Sequence, residues 1–209
     1  MRLPAAFFDF PRILRRFRHS LCVTPVHSQL PHWKRPGAPC FLTWRLADSM
    51  PVRRVADFWT TEGARFVAFD RVLDARATGP QWLIQPDIAR AVIGVLLAGQ
   101  DKGFYELGAW VVMPNHVHAL ICLAGDLSKV VSGIKVTSAK EANRLLDRSG
   151  AFWSRDYFDR WVRNSREEQR IVRYIENNPV KAGLCREVSG WPFSSASRKD
   201  GTRLVAACP

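Results

Sequence analysis

Ala109-Trp110-Val111-Val112-Met113-Pro114-Asn115-His116-Val117-His118-Ala119-Leu120-Ile121 is an apolar run broken by Met-Pro-Asn and resumed by His-Val-His. Residues two apart on a strand point to the same face. If the second half is a strand, His116 and His118 are parallel neighbours and Val117 faces away. Two imidazoles aimed at one point from a rigid strand make half of a metal site. The competing reading is two polar residues at the wet end of a strand, and an isolated His-x-His does not separate the two.

Working outward, Phe104 to Met113 and Val117 to Leu123 read as the limbs of a hairpin, with the histidines opening its second limb. Cys40 to Leu46 is an earlier strand, rich in aromatic and β-branched residues. Val52 to Asp74 has mixed helical spacing and suggests one or two helices. Pro86 to Ala98 is a helix with Pro86 in its first turn and an apolar stripe at Ile88, Val92, Val95 and Leu96; Gly99 and Gly103 are expected to close it. Leu127 to Leu146 is a second long helix, whose other face carries Lys129, Lys135, Lys140 and Arg144. That row suits backbone phosphates, though for a lysine row alone a solvated face is the better reading. Phe152 to Val162 permits a fourth strand. Glu167 to Asn178 is a last helix, entered through Ser165 and ended by Pro179. This order argues for an α+β fold: a ferredoxin-like antiparallel sheet covered by helices on one face.

The 209 residues suggest one domain with extensions, or at most two small domains, and a hydrophobic fraction of 47% allows a packed core. The net charge of +12 points to a polyanionic partner, nucleic acid or an anionic membrane surface. Residues 1–38 read as a basic, flexible arm with Arg12, Arg15, Arg16 and Arg18, residues 39–185 as the main domain and 186–209 as a tail. The five cysteines are scattered and form no Cys-x-x-Cys, so neither a disulfide framework nor a zinc knuckle is indicated. No apolar run reaches the length of a membrane span, and Asp9 and Pro11 interrupt the only candidate signal core, so no membrane partner and a cytoplasmic location are expected.

On the last helix Tyr174 and Asn178 are four residues apart and share a face, with Ile171 and Ile175 on an adjacent apolar stripe. A half-buried aromatic and a helix terminator would explain them separately. Together with the histidine strand they carry a resemblance. Trp110 to His118 resembles the His-hydrophobe-His motif of the single-tyrosine HUH transposases, and Arg173-Tyr174-Ile175-Glu176-Asn177-Asn178-Pro179-Val180-Lys181-Ala182-Gly183-Leu184 resembles that family's tyrosine helix. Trp153 to Arg160 and Trp191-Pro192-Phe193-Ser194-Ser195 are similar to segments of its REP-associated branch. The resemblance covers roughly residues 38 to 197.

It implies the HUH endonuclease fold, in which His116 and His118 bind Mg²⁺ or Mn²⁺, Asn178 completes the protein ligands and Tyr174 is the nucleophile. It further implies nicking and strand transfer on single-stranded DNA, at hairpin or palindromic elements, through a 5′-phosphotyrosine. The active form would be a monomer or a homodimer. Neutral imidazoles and an amide oxygen leave such an ion its full charge and open positions. A tyrosine hydroxyl with an ordinary pKa near 10 needs activation, and the sequence does not show by what. Tyr157, set among aromatics, reads as packing or base stacking; Trp153, Phe158 and Trp161 are compatible with stacking on bases. The alternatives are a catalytically silent hairpin-binding module and a basic RNA-binding ferredoxin-like domain.

Overall fold

A computed structural model describes residues 37–50, 70–75, 79–123 and 125–197. Four strands are present among them: β1 (Pro39–Leu46), β2 (Glu106–Val112), β3 (His116–Cys122) and β4 (Trp153–Trp161). Three long helices accompany them, α1 (Pro86–Asp101), α2 (Leu127–Leu145) and α3 (Ser165–Lys181), and residues 70–74 form a short helical segment. The sheet order is β2-β3-β1-β4 with every pair antiparallel. This is the ferredoxin-like arrangement expected from the order of elements. The arm expected at 1–38, and the helical region expected from Val52 as far as residue 69, lie almost wholly outside the described residues.

Register sorts the side chains. Thr43 stands opposite His118 and Arg45 opposite His116 across β1 and β3, so these four share one face with Phe41 and Leu120. Leu42, Trp44 and Leu46 alternate to the other face with Val117, Ala119 and Ile121. On that second face Trp44 packs edge-on against Trp153, and the Trp153 indole donates to Ser138 on α2 at 2.9 Å. Helices α1 and α2 pack against each other, and their buried residues Val92, Val95, Leu96, Val131 and Ile134 join this core. Trp153 is thus a core residue rather than a base-stacking surface. Helix α3 lies over the histidine face, since Tyr174 packs against Phe41 and His118. The sheet is therefore covered on both faces rather than one.

Two expected helix ends move. Helix α1 runs through Gly99 to Asp101, and the chain turns at Gly103 with φ +70°. Gly99 serves packing instead: a Cβ there would lie 2.3 Å from Tyr105 Oη, and that hydroxyl donates to the Leu96 carbonyl at 2.7 Å. Helix α3 continues through Pro179 to Lys181. A proline this near a C-terminus forfeits one backbone bond, while Ala182 N–H to Asn178 O (2.9 Å) and Leu184 N–H to Pro179 O (2.8 Å) keep the last turn wound.

The start of α3 is pinned by charge. Its cap is Asn164 rather than Ser165; the Asn164 side chain accepts from Glu167 N–H at 2.9 Å. Buried Glu167 accepts from Arg160 at 2.7 Å and from Arg163 Nε at 3.0 Å. At the opposite edge, the segment around Trp191 to Ser195 braces β2: Val112 N–H bonds Phe193 O at 2.8 Å, and the Trp191 indole donates to Val112 O at 2.9 Å. An otherwise bare sheet edge is thereby occupied.

Gly99→Ala is expected to cost about 2 kcal/mol in urea denaturation, because the new methyl must displace a hydrogen-bonded tyrosine. A loss below about 0.5 kcal/mol would refute that packing account. Glu167 gives a pH signature. Hydrogen bonding from Arg163, ahead of Arg160 and against burial, holds its carboxyl at about 2, from an ordinary 4.5. A folded value below the unfolded one means that the stabilisation is complete above about pH 4.5 and lost as pH falls toward 2. Glu167→Gln should flatten Tm against pH over that window and cost roughly 2 kcal/mol at pH 7.

Candidate metal and nucleophile site

The hairpin turn between β2 and β3 is held from both sides. Met113 N–H bonds His116 O (2.8 Å), Leu46 N–H bonds Asn115 O (2.8 Å) and Leu83 N–H bonds Pro114 O (3.1 Å). Both histidines are fully buried, and their Nε2 atoms lie 3.1 Å apart. The Asn115 amide settles one tautomer. Its Nδ2 donates to Leu73 O at 3.0 Å, which turns Oδ1 toward His116 Nδ1 at 2.7 Å. An amide oxygen only accepts, so His116 carries its proton on Nδ1 and offers a lone pair at Nε2. Burial, then the neighbouring His118, holds His116 well below the usual histidine range, consistent with a neutral ring. His118 Nδ1 sits 2.7 Å from Thr43 Oγ1, and Phe41 stacks on its ring at 5.6 Å between centroids.

Helix α3 presents Tyr174, Asn178 and Lys181 toward this pair at spacings of four and three, one helical stripe. Asn178 Nδ2 is 3.2 Å from His118 Nε2, and the Tyr174 and His118 ring centroids are 5.6 Å apart. All four residues expected from the sequence, His116, His118, Tyr174 and Asn178, therefore meet at one place. Tyr157 does not join them. It stands opposite Trp44 on the other side of the sheet, with Lys135 Nζ 5.9 Å from its ring centre. Of the basic row on α2, Lys135 is bound to the Arg155 carbonyl at 2.8 Å and pushed down to about 8 by burial, while Arg144 is paired with Glu141.

The sequence reading missed Asp70. Its side chain is 1% exposed and its Oδ1 lies 3.1 Å from His118 Nε2 and 3.9 Å from His116 Nε2. Its Oδ2 accepts from the Tyr174 hydroxyl and from Lys181 Nζ at 3.0 Å; Lys181 also reaches Asp74 at 2.8 Å. Burial works to raise the Asp70 carboxyl, but His118, His116 and Tyr174 beside it hold it below the usual carboxylate range. Burial and the Asp70 charge push the Tyr174 hydroxyl far up. No periodic or motif signal marks Asp70, since the Tyr174 contact spans 104 positions of sequence. Lys181 fell inside the quoted tyrosine-helix motif but carried no assigned role.

The donor set fits a divalent cation. Asp70, His116 and His118 offer ligand atoms all within 4.8 Å of one another. Asp70 Oδ1 and Asn178 Oδ1 are buried with no hydrogen-bond partner, a costly state that a cation relieves. Mixed imidazole nitrogen and carboxylate or amide oxygen is a donor set that divalent metal ions accept. No helix among the described residues is long and apolar enough to cross a membrane.

Comparison with known proteins agrees with this geometry. Residues 82–178 match the family model described as "Transposase IS200 like". A REP-associated tyrosine transposase of Escherichia coli K12 is 33% identical over 109 residues, covering 50% of this chain and 61% of that protein; the match thus spans about three fifths of the relative. A solved structure of a REP-associated tyrosine transposase bound to a REP hairpin superimposes with a TM-score of 0.54 at 26% identity, covering 82% of this chain and 84% of that one. In its fold and in its paired histidines facing a tyrosine helix the chain resembles the IS200-like transposases, whose family model its residues 82–178 match.

Proposed function

We propose that this protein is a divalent-metal-dependent enzyme that nicks and rejoins single-stranded DNA, at hairpin or palindromic elements, with Tyr174 as its nucleophile. The observation that carries this reading is the meeting of Tyr174 and Asn178 of α3 with His116 and His118 of β3. The solved relative bound to a REP hairpin supports the DNA class, and the net charge of +12 supports a phosphate backbone as partner.

His116, His118 and Asn178 would hold Mg²⁺ or Mn²⁺, which when bound supplies Lewis-acid polarisation of the scissile phosphate. The chain's own residues do the rest. Tyr174 Oη attacks phosphorus in line, the bond from phosphorus to the 3′ oxygen breaks, and the phosphate remains on the 5′ side as phosphotyrosine. The strand leaves with a free 3′-hydroxyl. The Tyr174 hydroxyl donates a hydrogen bond to the Asp70 carboxylate. Attack by a 3′-hydroxyl on the phosphotyrosine reverses the step, so rejoining requires no nucleotide cofactor. Phe41 packs edge-on against the Tyr174 ring, with 6.0 Å between ring centroids. Residues 39–185 would form the catalytic domain, with 1–38 as a basic arm and 186–209 as a tail, of which the part near Trp191 is bound to the β2 edge.

With a labelled single-stranded hairpin and Mn²⁺, wild type should yield a detergent-resistant protein–DNA adduct. Tyr174→Phe and His116→Ala should each lower the yield about 100-fold or more. Chelation of the metal should abolish it. Equal adduct from Tyr174→Phe would sink the assignment. Metal-independent hairpin binding with the strand left intact would favour a silent binding module.

A further inference from the structure

We propose that Asp70 is a direct ligand of the metal and at the same time the residue that aims Tyr174, so that one carboxylate ties the nucleophile to the ion. The inference rests on the metal-and-tyrosine reading above and deepens it. Asp70 comes from the helical segment at 70–74, outside both the histidine strand and the tyrosine helix, yet its two oxygens divide between them. Oδ1 faces the two Nε2 atoms at 3.1 and 3.9 Å and has no hydrogen-bond partner. Oδ2 takes the Tyr174 hydroxyl and the Lys181 ammonium.

A carboxylate with one oxygen held by two donors and the other without a hydrogen-bond partner, buried beside two imidazole nitrogens, has the form of a monodentate ligand with its outer oxygen fixed. The outer contacts set its direction. Lys181 is anchored a second time by Asp74 at 2.8 Å, and Leu73 of the same segment holds the Asn115 amide that orients His116. The segment therefore reaches both the nucleophile and a histidine ligand through short polar contacts.

The test measures Mn²⁺ alone, by calorimetry and by electron paramagnetic resonance, with no DNA present. Asp70→Asn should weaken Mn²⁺ binding about 10-fold or more, while Asp74→Asn, which alters only the outer anchor, should stay within about 3-fold of wild type. In the adduct assay, Asp70→Asn with Mn²⁺ raised to saturation should still be slowed, because Tyr174 has lost its anchor; Asp74→Asn should not be. If Asp70→Asn fails to fold, as judged by circular dichroism, Asp70→Glu replaces it: its bound-Mn²⁺ resonance should differ from wild type and that of Asp74→Glu should not. Mn²⁺ affinity or resonance unchanged by substitution at Asp70 overturns ligation. Full adduct yield at saturating Mn²⁺ overturns the aiming role. Absence of an adduct from wild type would overturn the nicking reading instead, and leaves the Mn²⁺ comparison to stand or fall alone.

Discussion

The antiparallel register of β1 on β3 decides where everything else goes. Thr43 opposite His118 and Arg45 opposite His116 put both imidazoles on the sheet face away from α1 and α2. A slip of one residue would exchange every side chain on β3 between faces. His116 and His118 would then enter the aromatic layer of Trp44 and Trp153, and Val117 would stand where the imidazoles now stand. The apolar run on β3 prevents this, because Val117, Ala119 and Ile121 are all fully buried against the other face. Hydrophobic burial on one side thus specifies the chemistry on the other.

On the site face, polar groups are packed as tightly as a core. Asp70, Asn115, His116, His118 and Asn178 are all close to fully buried, which is tolerable only if each group is satisfied by a neighbour or an ion. Most are. Asn115 links Leu73 to His116, Thr43 supports His118, and Lys181 links Asp70 to Asp74. The exceptions are Asp70 Oδ1 and Asn178 Oδ1, which have no hydrogen-bond partner.

Much of the fold was legible in the chain because its elements are locally self-consistent. The break at Met113-Pro114-Asn115 and the period-two pattern after it place the hairpin to within a residue or two. Pro86 and the stripe after it place α1. The helix ends were less legible for a physical reason. Gly99 reads as a terminator but is a packing glycine under Tyr105, and Pro179 reads as a stop but sits where one lost backbone bond is tolerable. In both cases a tertiary or end effect overrides the local preference. Trp153 was misleading in the same way: its alternation with charged residues suggests exposure, while its neighbours across the sheet bury it.

The sequence by itself determined the two halves of the site: imidazoles two apart on a strand, and a tyrosine and an asparagine four apart on a helix. Those spacings are fixed by the backbone periods of strand and helix, so no tertiary information is needed to read them. Their meeting was decided by the tertiary structure, as was the entry of Asp70, Asn115 and Thr43 into the same pocket. A carboxylate 104 positions from the hydroxyl it binds leaves no periodic trace in the chain. Only the closing of the 70–74 segment over the histidine face gives Asp70 two partners at once, because that contact depends on the packing of whole elements and not on the preference of any one of them.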